Sequence, residues 1–293
     1  ETLISILHRN CRIALTFCGL TGDCGCLSSG YINVSSRTES LRRICESEAS
    51  YEMFHSSREV FRAVKNSTLL TGPPFMAGVM GFDNRLMLPP FFPHFRNSDG
   101  LFGHMTMSAY PGSVSCHLPF AYRHSPTVSR SYSADRLAIF KRIRFSELLS
   151  GIISLLLDPE YTRRIGEEIY TKLGDNLIRF ASCSDKELHI RLSGIVDLLV
   201  ANDLRRLSNL RNTHADGPWY WSRDVDAHMQ CRKQMLTDPN MVVPAELDSV
   251  GGISNAIAII RQLLSCYGAA LVAWPGLWKA AKDMNLQKPS MWR

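Results

Sequence analysis

Five side chains able to do chemistry fall within one stretch, Gly81 to Pro126: Asp83, Arg85, Arg96, Asp99 and His124, set among segments that read as buried. A positioned carboxylate can take a proton from a hydroxyl, a guanidinium can neutralise a phosphate, and an imidazole can carry a proton or bind a metal. Asp83, Asn84 and Arg85 could hold substrate: Asp and Asn offer the acceptors and donors that a diol requires, and Arg85 could pair with phosphate. Their other reading is a tight turn locked by an Asp to Arg contact. Arg96, with the adjoining Asn97, is a further substrate-binding candidate with the same two readings.

The elements around these residues follow from residue type. Leu88 to Phe95 holds three prolines, which fix φ and remove amide donors, so it must be a fixed, aromatic-walled connection. Ser98 has the short acceptor of an N-cap, and Asp99 falls in the first helical turn, where unpaired amides and the helix dipole favour a carboxylate. That suits a base; the other reading is an acid present for helix stability. Leu101, Phe102, Met105 and Ala109 recur at helical spacing, predicting a helix docked on a sheet and ended by Pro111-Gly112. Val114, Cys116 and Leu118 alternate with Ser115 and His117 as in a strand, and Pro119 predicts an edge or a bulge. His124 then stands at a strand end, where α/β enzymes collect their ligands.

An acidic residue opening a helix, with a polar run before it and a strand and histidine some two dozen residues after it, resembles the second half of A-type inverting glycosyltransferases. More narrowly, Gly81 to Pro93 with Arg96 to Gly103 is similar to large bacterial proteins that carry a glycosyltransferase-like domain and a helical tail. The likeness extends to Thr21-Gly22-Asp23-Cys24-Gly25, Ser57 to Val60, Tyr220 to Val225, and Tyr267-Gly268 through Trp274-Pro275. It implies an inverting transfer of sugar from a nucleotide-sugar donor to an acceptor hydroxyl. Asp99 would be the general base, His124 a ligand of a divalent cation (Mn or Mg), and the fold a nucleotide-diphospho-sugar transferase type. Two positions depart from the pattern. Ser98 stands where such enzymes carry a second acid, and the first half has no Asp-x-Asp motif for metal and diphosphate. The chain is therefore expected either to be a piece of a longer protein or to lack the donor site. A non-catalytic binding protein of the same ancestry, recruiting a partner through helices, is the alternative. Phosphate-ester hydrolysis at Asp99 or Asp83 with His124 is a third reading, and it lacks a phosphate-cradling Gly-rich loop or a nucleophile elbow.

Composition sets the outer bounds. With 293 residues, 45% apolar and 20% charged, the chain can bury a sizeable core, and a net charge of +6 spread among acids is no nucleic-acid footprint. Nine cysteines, with one close pair at Cys24 and Cys26 and no repeated Cys-x-x-Cys, signal neither a zinc site nor a disulfide framework. They fit a reducing compartment, so a cytoplasmic location is expected. Glu1 to Asn10 has no signal-peptide pattern, and the missing initiator Met agrees with a fragment. The apolar stretch from Ile253 to Trp278, interrupted by Arg261, Gln262 and Pro275, reads as a core helix rather than a membrane span.

Residues 1–130 are expected to be the acceptor-side α/β half and residues 131–293 an all-helical region. Cys11 to Cys18 alternates as a strand, followed by a Gly/Ser loop from Gly19 to Gly30, in which Asp23 either meets substrate or forms an Asx turn. A strand at Tyr31 to Val34, one helix from Ser36 to Phe54, a strand within Arg58 to Val64 and a buried run at Phe75 to Met80 complete a partial mixed sheet. Helices are predicted over Ser133 to Leu157, Glu160 to Ser182, Asp185 to Thr213, Pro218 to Leu236 and Ser254 to Met284, as an irregular bundle. Lys141, Arg142 and Arg144 read as a solvated helix face. The tryptophans read as core packing. Asp224 and Asp226 resemble the missing metal motif, but successive even positions on a helix point apart, and only Asp224 and His228 share a face.

Overall fold

A computed structural model describes residues 11–29, 38–72, 78–128, 130–132, 135–157 and 166–284. The first half is organised on strand β1 (Ile13–Asp23), which buries Ala14, Leu15, Cys18 and Leu20 on both its faces and leaves Ile13, expected on the apolar face, exposed. One edge of β1 pairs in parallel with β5 (Val114–His124), which follows helix α3 (Ser98–Ala109). The other edge is divided between two antiparallel strands: β4 (Met80–Phe82) lies beside Leu15 to Phe17, and β2 (Glu59–Arg62) beside Leu20 to Asp23. The short strand β3 (Thr68–Leu70), which the sequence reading lacks, closes the far edge against β5. The result is a curled mixed sheet, so the partial mixed sheet expected in the first half is present.

Several expectations are corrected. The strand predicted to stop at Cys18 continues to Asp23, because Gly19 and Gly22 serve close approach rather than a turn. A Cβ on Gly19 would run into the carbonyl of Arg62, and one on Gly22 into that of His124. The single helix expected from Ser36 is two, α1 (Thr38–Ile44) and α2 (Glu48–Ser56). The Ser47 hydroxyl starts the second by accepting from the Ser50 amide at 3.1 Å. Pro119 does mark a bulge: Cys18 faces Leu118 and Gly19 faces Ala121, so Pro119 and Phe120 are extra, and the strand resumes to His124. Val79, within the run read as buried, is 49% exposed. The strand predicted at Tyr31 to Val34 lies outside the described residues.

The second half is helical: α4 (Phe145–Leu156), α5 (Glu167–Ala181), α6 (Asp185–Thr213), α7 (Trp219–Met235) and α8 (Ile253–Asp283). The last three match their predicted bounds within a residue. Lys141 to Arg144 is not a helix face; the Glu147 carboxylate accepts from the Arg144 amide at 2.8 Å and starts α4 at Phe145. Trp221 is fully buried, whereas Trp219 is exposed. Helix α8 supplies Ile257, Ile260, Leu264, Tyr267 and Leu271 to the core, as expected, and is also long and apolar enough to cross a membrane.

One core cluster joins Ala14 and Leu15 of β1, Leu86 to Leu88, Phe92, the apolar face of α3, and helices α4, α5, α6 and α8. A second joins Leu41, Ile44 and Tyr51 to Leu207, Tyr220, Trp221 and Val225.

Candidate functional site

Parallel strands β1 and β5 end together, with Gly22 opposite His124, so the last residues of both present their side chains at one place. Asp23, the last residue of β1, is buried, and four donors meet its carboxylate. Arg58 gives Nε to Oδ2 at 2.8 Å and Nη2 to Oδ1 at 3.0 Å; Arg130 Nη2 and the Gly25 amide each reach Oδ1 at 2.7 Å. These bonds, Arg58's first, hold the Asp23 carboxyl well below the usual carboxylate range. The Asx-type turn foreseen for Asp23 is present. His124 is oriented by the same residue, through Nδ1 and the Asp23 carbonyl at 2.8 Å. A carbonyl only accepts, so Nδ1 carries the proton and Nε2 keeps its lone pair when the ring is neutral.

Beyond Asp23 the chain turns through Gly25, at φ 70°, and places Cys24 and Cys26 in the site. Cys24 is buried; its sulfur meets the Tyr132 hydroxyl at 2.8 Å and the Cys26 amide at 3.4 Å. Arg58 lies over the Tyr132 ring, 4.8 Å from its centroid, and donates to the Cys26 carbonyl at 2.9 Å. A hydrogen bond from the Cys26 thiol, with help from Tyr132, brings the Cys24 thiol down to about 5, and the same bond drives the Cys26 thiol up.

Helix α3 approaches this place by its N-terminus. Arg96 Nη2 donates to the Gly25 carbonyl at 2.7 Å. The N-cap is Asn97 rather than Ser98: Asn97 takes a left-handed φ of 70°, which Asn tolerates, and its amide reaches Ser146 Oγ at 3.5 Å. Asp99 is in the first turn as predicted, half-buried, and accepts from the Gly100 amide at 3.0 Å. Burial, and then the charges of Cys18 and Asp99, push the Tyr122 phenol of β5 up.

Asp23 and His124 thus meet at one end of the sheet, and Arg96 reaches it through the Gly25 carbonyl; the bonds of Asn97 and Asp99 go to Ser146 and to the Gly100 amide. Asp83, Asn84 and Arg85 lie away from it. The Asp83 amide bonds the carbonyl of Ala14 at the opposite end of β1, and Arg85 clamps the Asp83 carboxylate at 2.7 and 2.8 Å. The locked-turn reading describes them. The Asp224 motif is dispersed as well: Asp224 accepts from Tyr51 and Arg223, Asp226 pairs with Arg211, and His228 faces Asp203 at 3.3 Å. Sequence reasoning did not pick out Arg58, Arg130, Tyr132 or the two cysteines as site residues. Only the Cys-x-Cys spacing directly after a strand could have signalled any of them.

Among the described residues, no group of three or more His, Cys, Asp or Glu side chains could hold a metal ion. A cavity of about 370 Å³ between α1 and the α6 to α7 turn, lined by Arg42, His214, Asp216 and Trp221 among others, shares no residue with the strand-end cluster. No protein-family model, curated protein or solved structure matches the chain.

Proposed function

We propose that this chain is the acceptor side of an inverting glycosyltransferase of the nucleotide-diphospho-sugar transferase type. The observation that carries the reading is the 2.7 Å bond from Arg96 to the Gly25 carbonyl, which fastens the N-terminus of α3, and with it Asp99, to the ends of parallel strands β1 and β5. In this reading the Asp99 carboxylate takes the proton of an acceptor hydroxyl as that oxygen attacks the anomeric carbon. The bond to the diphosphate breaks, and the leaving group departs with the electron pair. Arg96 and Arg130, both exposed on their outer side, are the cations that would meet its charge. A divalent cation finds one imidazole here, His124 through Nε2, and beside it only Asp23, whose oxygens are already paired. The described residues do not make a cation site by themselves, so the arginines carry the charge in this account.

The test is turnover of a panel of nucleoside-diphosphate sugars with sugar and lipid-linked hydroxyl acceptors, read as nucleoside diphosphate released. Asp99→Asn should lower the rate by about a thousandfold while donor affinity, measured by calorimetry, stays the same. Full turnover in that variant would remove Asp99 from the mechanism. A second reading, a binding protein that engages a partner through its helices, is favoured by the exposed Val272 and Leu277 of α8. It takes precedence if no donor sugar binds the unsubstituted protein.

A further inference from the structure

The Cys24-Gly25-Cys26 turn has chemistry of its own that sugar transfer does not use. Cysteines two apart in an extended chain sit about 7 Å from Cα to Cα, at the edge of what a disulfide spans, and a turn at the middle residue shortens that distance. Gly25 supplies the turn, at φ 70° and held by its amide's bond to Asp23 Oδ1 at 2.7 Å. The two cysteines already reach each other. The Cys26 amide donates to Cys24 Sγ at 3.4 Å, and the Cys26 thiol donates to the Cys24 carbonyl at 3.7 Å. The surroundings split them into unlike roles. Tyr132, the Cys26 thiol and the Arg58 guanidinium all favour the thiolate of Cys24, whereas Cys26 keeps its proton. A nucleophilic sulfur with a protonated sulfur in the same turn is the arrangement of an attacking and a resolving thiol.

We infer that Cys24 and Cys26 form an oxidation-sensitive pair that a hydroperoxide closes to an intraloop disulfide and a dithiol reopens. The Cys24 sulfur attacks the terminal oxygen of the peroxide, the O–O bond breaks, and the alkoxide or hydroxide leaves and is protonated by water. Cys24 is now a sulfenic acid. The Cys26 sulfur, giving up its proton, attacks Cys24 Sγ, and the hydroxyl departs as water. The two thiols have lost two electrons and the peroxide has gained them. Cys24 has no exposed surface and Cys26 is only half-exposed, so the oxidant must be as small as hydrogen peroxide. Closing the bond draws the sulfurs to about 2 Å and turns the peptide planes between them. The Gly25 carbonyl belongs to the second of those planes, and it is the one that Arg96 holds at 2.7 Å. Oxidation therefore releases the arginine contact that fastens α3 to the strand ends.

The experiment is hydrogen peroxide added to the reduced, folded protein, followed by alkylation under denaturing conditions and peptide mass mapping. The peptide holding Cys24 and Cys26 should lose two hydrogens and both alkylation sites, at least about tenfold faster than the exposed Cys266 is oxidised, and dithiothreitol should restore it. In Cys26→Ser the Cys24 sulfenic acid should persist and be trapped by dimedone. A disulfide reagent too large to reach Cys24, such as dithiobis(nitrobenzoate), should label Cys266 first. Two outcomes overturn the inference: both cysteines remaining alkylatable after Cys266 has been oxidised, or Cys24 pairing with a cysteine other than Cys26.

Discussion

Asp23 receives two bonds from Arg58, one from Arg130 and one from the Gly25 amide, and through its carbonyl it aims His124. Its carboxyl is held far below its ordinary value by those donors. A lowered folded value means stability that is fully present above the unfolded pKa, near about 4, and lost as pH falls from there toward the folded value. Asp23→Asn should cost about 3 kcal/mol at pH 7, since it leaves the Arg58 guanidinium, 10% exposed, without its counter-charge. In urea unfolding the gap between variant and parent should narrow on moving from pH 7 to pH 3; an unchanged gap would show that the charge pair is not the source. Asp23 was legible as a candidate because a lone acid followed a strand among glycines. Its partners were not, because Arg58 and Arg130 lie 35 and 107 residues away, and ion pairs at such separations leave no spacing in a sequence. Asp83 and Arg85, two residues apart, show the opposite case: a local contact was readable as one of two alternatives, and only the backbone bond from Asp83 to Ala14 places it away from the other acids.

Helices were more legible than strands because their apolar period and caps are local. Ser184 accepts from the Glu187 amide at 3.3 Å and opens α6 at Asp185, where the sequence puts it. Strand β1 was cut short in the sequence reading because glycine signals a turn unless the neighbouring strand is known, and here the neighbours are β2 and β5. The same ambiguity governs the helical glycines, and it can be tested. Helices α5 and α8 touch at Gly174 and Gly268, where a Cβ on Gly268 would lie 2.8 Å from the Gly174 carbonyl and 2.9 Å from Ile178. Gly194, in the interior of α6, faces open space. Gly268→Ala should therefore destabilise by about 2 kcal/mol through overpacking. Gly194→Ala should stabilise by about 0.8 kcal/mol, because the helix no longer fixes an unrestricted residue. Thermal melts of the two variants should move in opposite directions. Equal shifts would mean that the α5 to α8 contact is looser than described.

At the scale of the molecule, the proline loop before α3 holds the sheet and the helices together. It has no ladder of its own, yet Leu86 to Leu88 are buried, so its carbonyls need donors from elsewhere. Aromatic side chains of both halves supply them. The hydroxyls of Tyr110 and Tyr170 both donate to Met87 O at 2.9 Å, the indole of Trp274 to Leu88 O at 2.6 Å, and the hydroxyl of Tyr267 to Pro90 O at 3.1 Å. Across the second cluster, Tyr51 of α2 donates to Asp224 of α7 at 2.9 Å. Each of the two cores thus draws on residues from both sides of position 130. Removing either half would bare the apolar surface of the other and leave those carbonyls unpaired, which makes independent unfolding of one half costly. Amide hydrogen exchange followed through rising sub-denaturing urea should therefore carry the slowest amides of β1, α3, α6 and α8 onto one common opening free energy. If the β1 amides open several kcal/mol below those of α6, the halves are separate folding units, and the proline loop joins them without binding them into one.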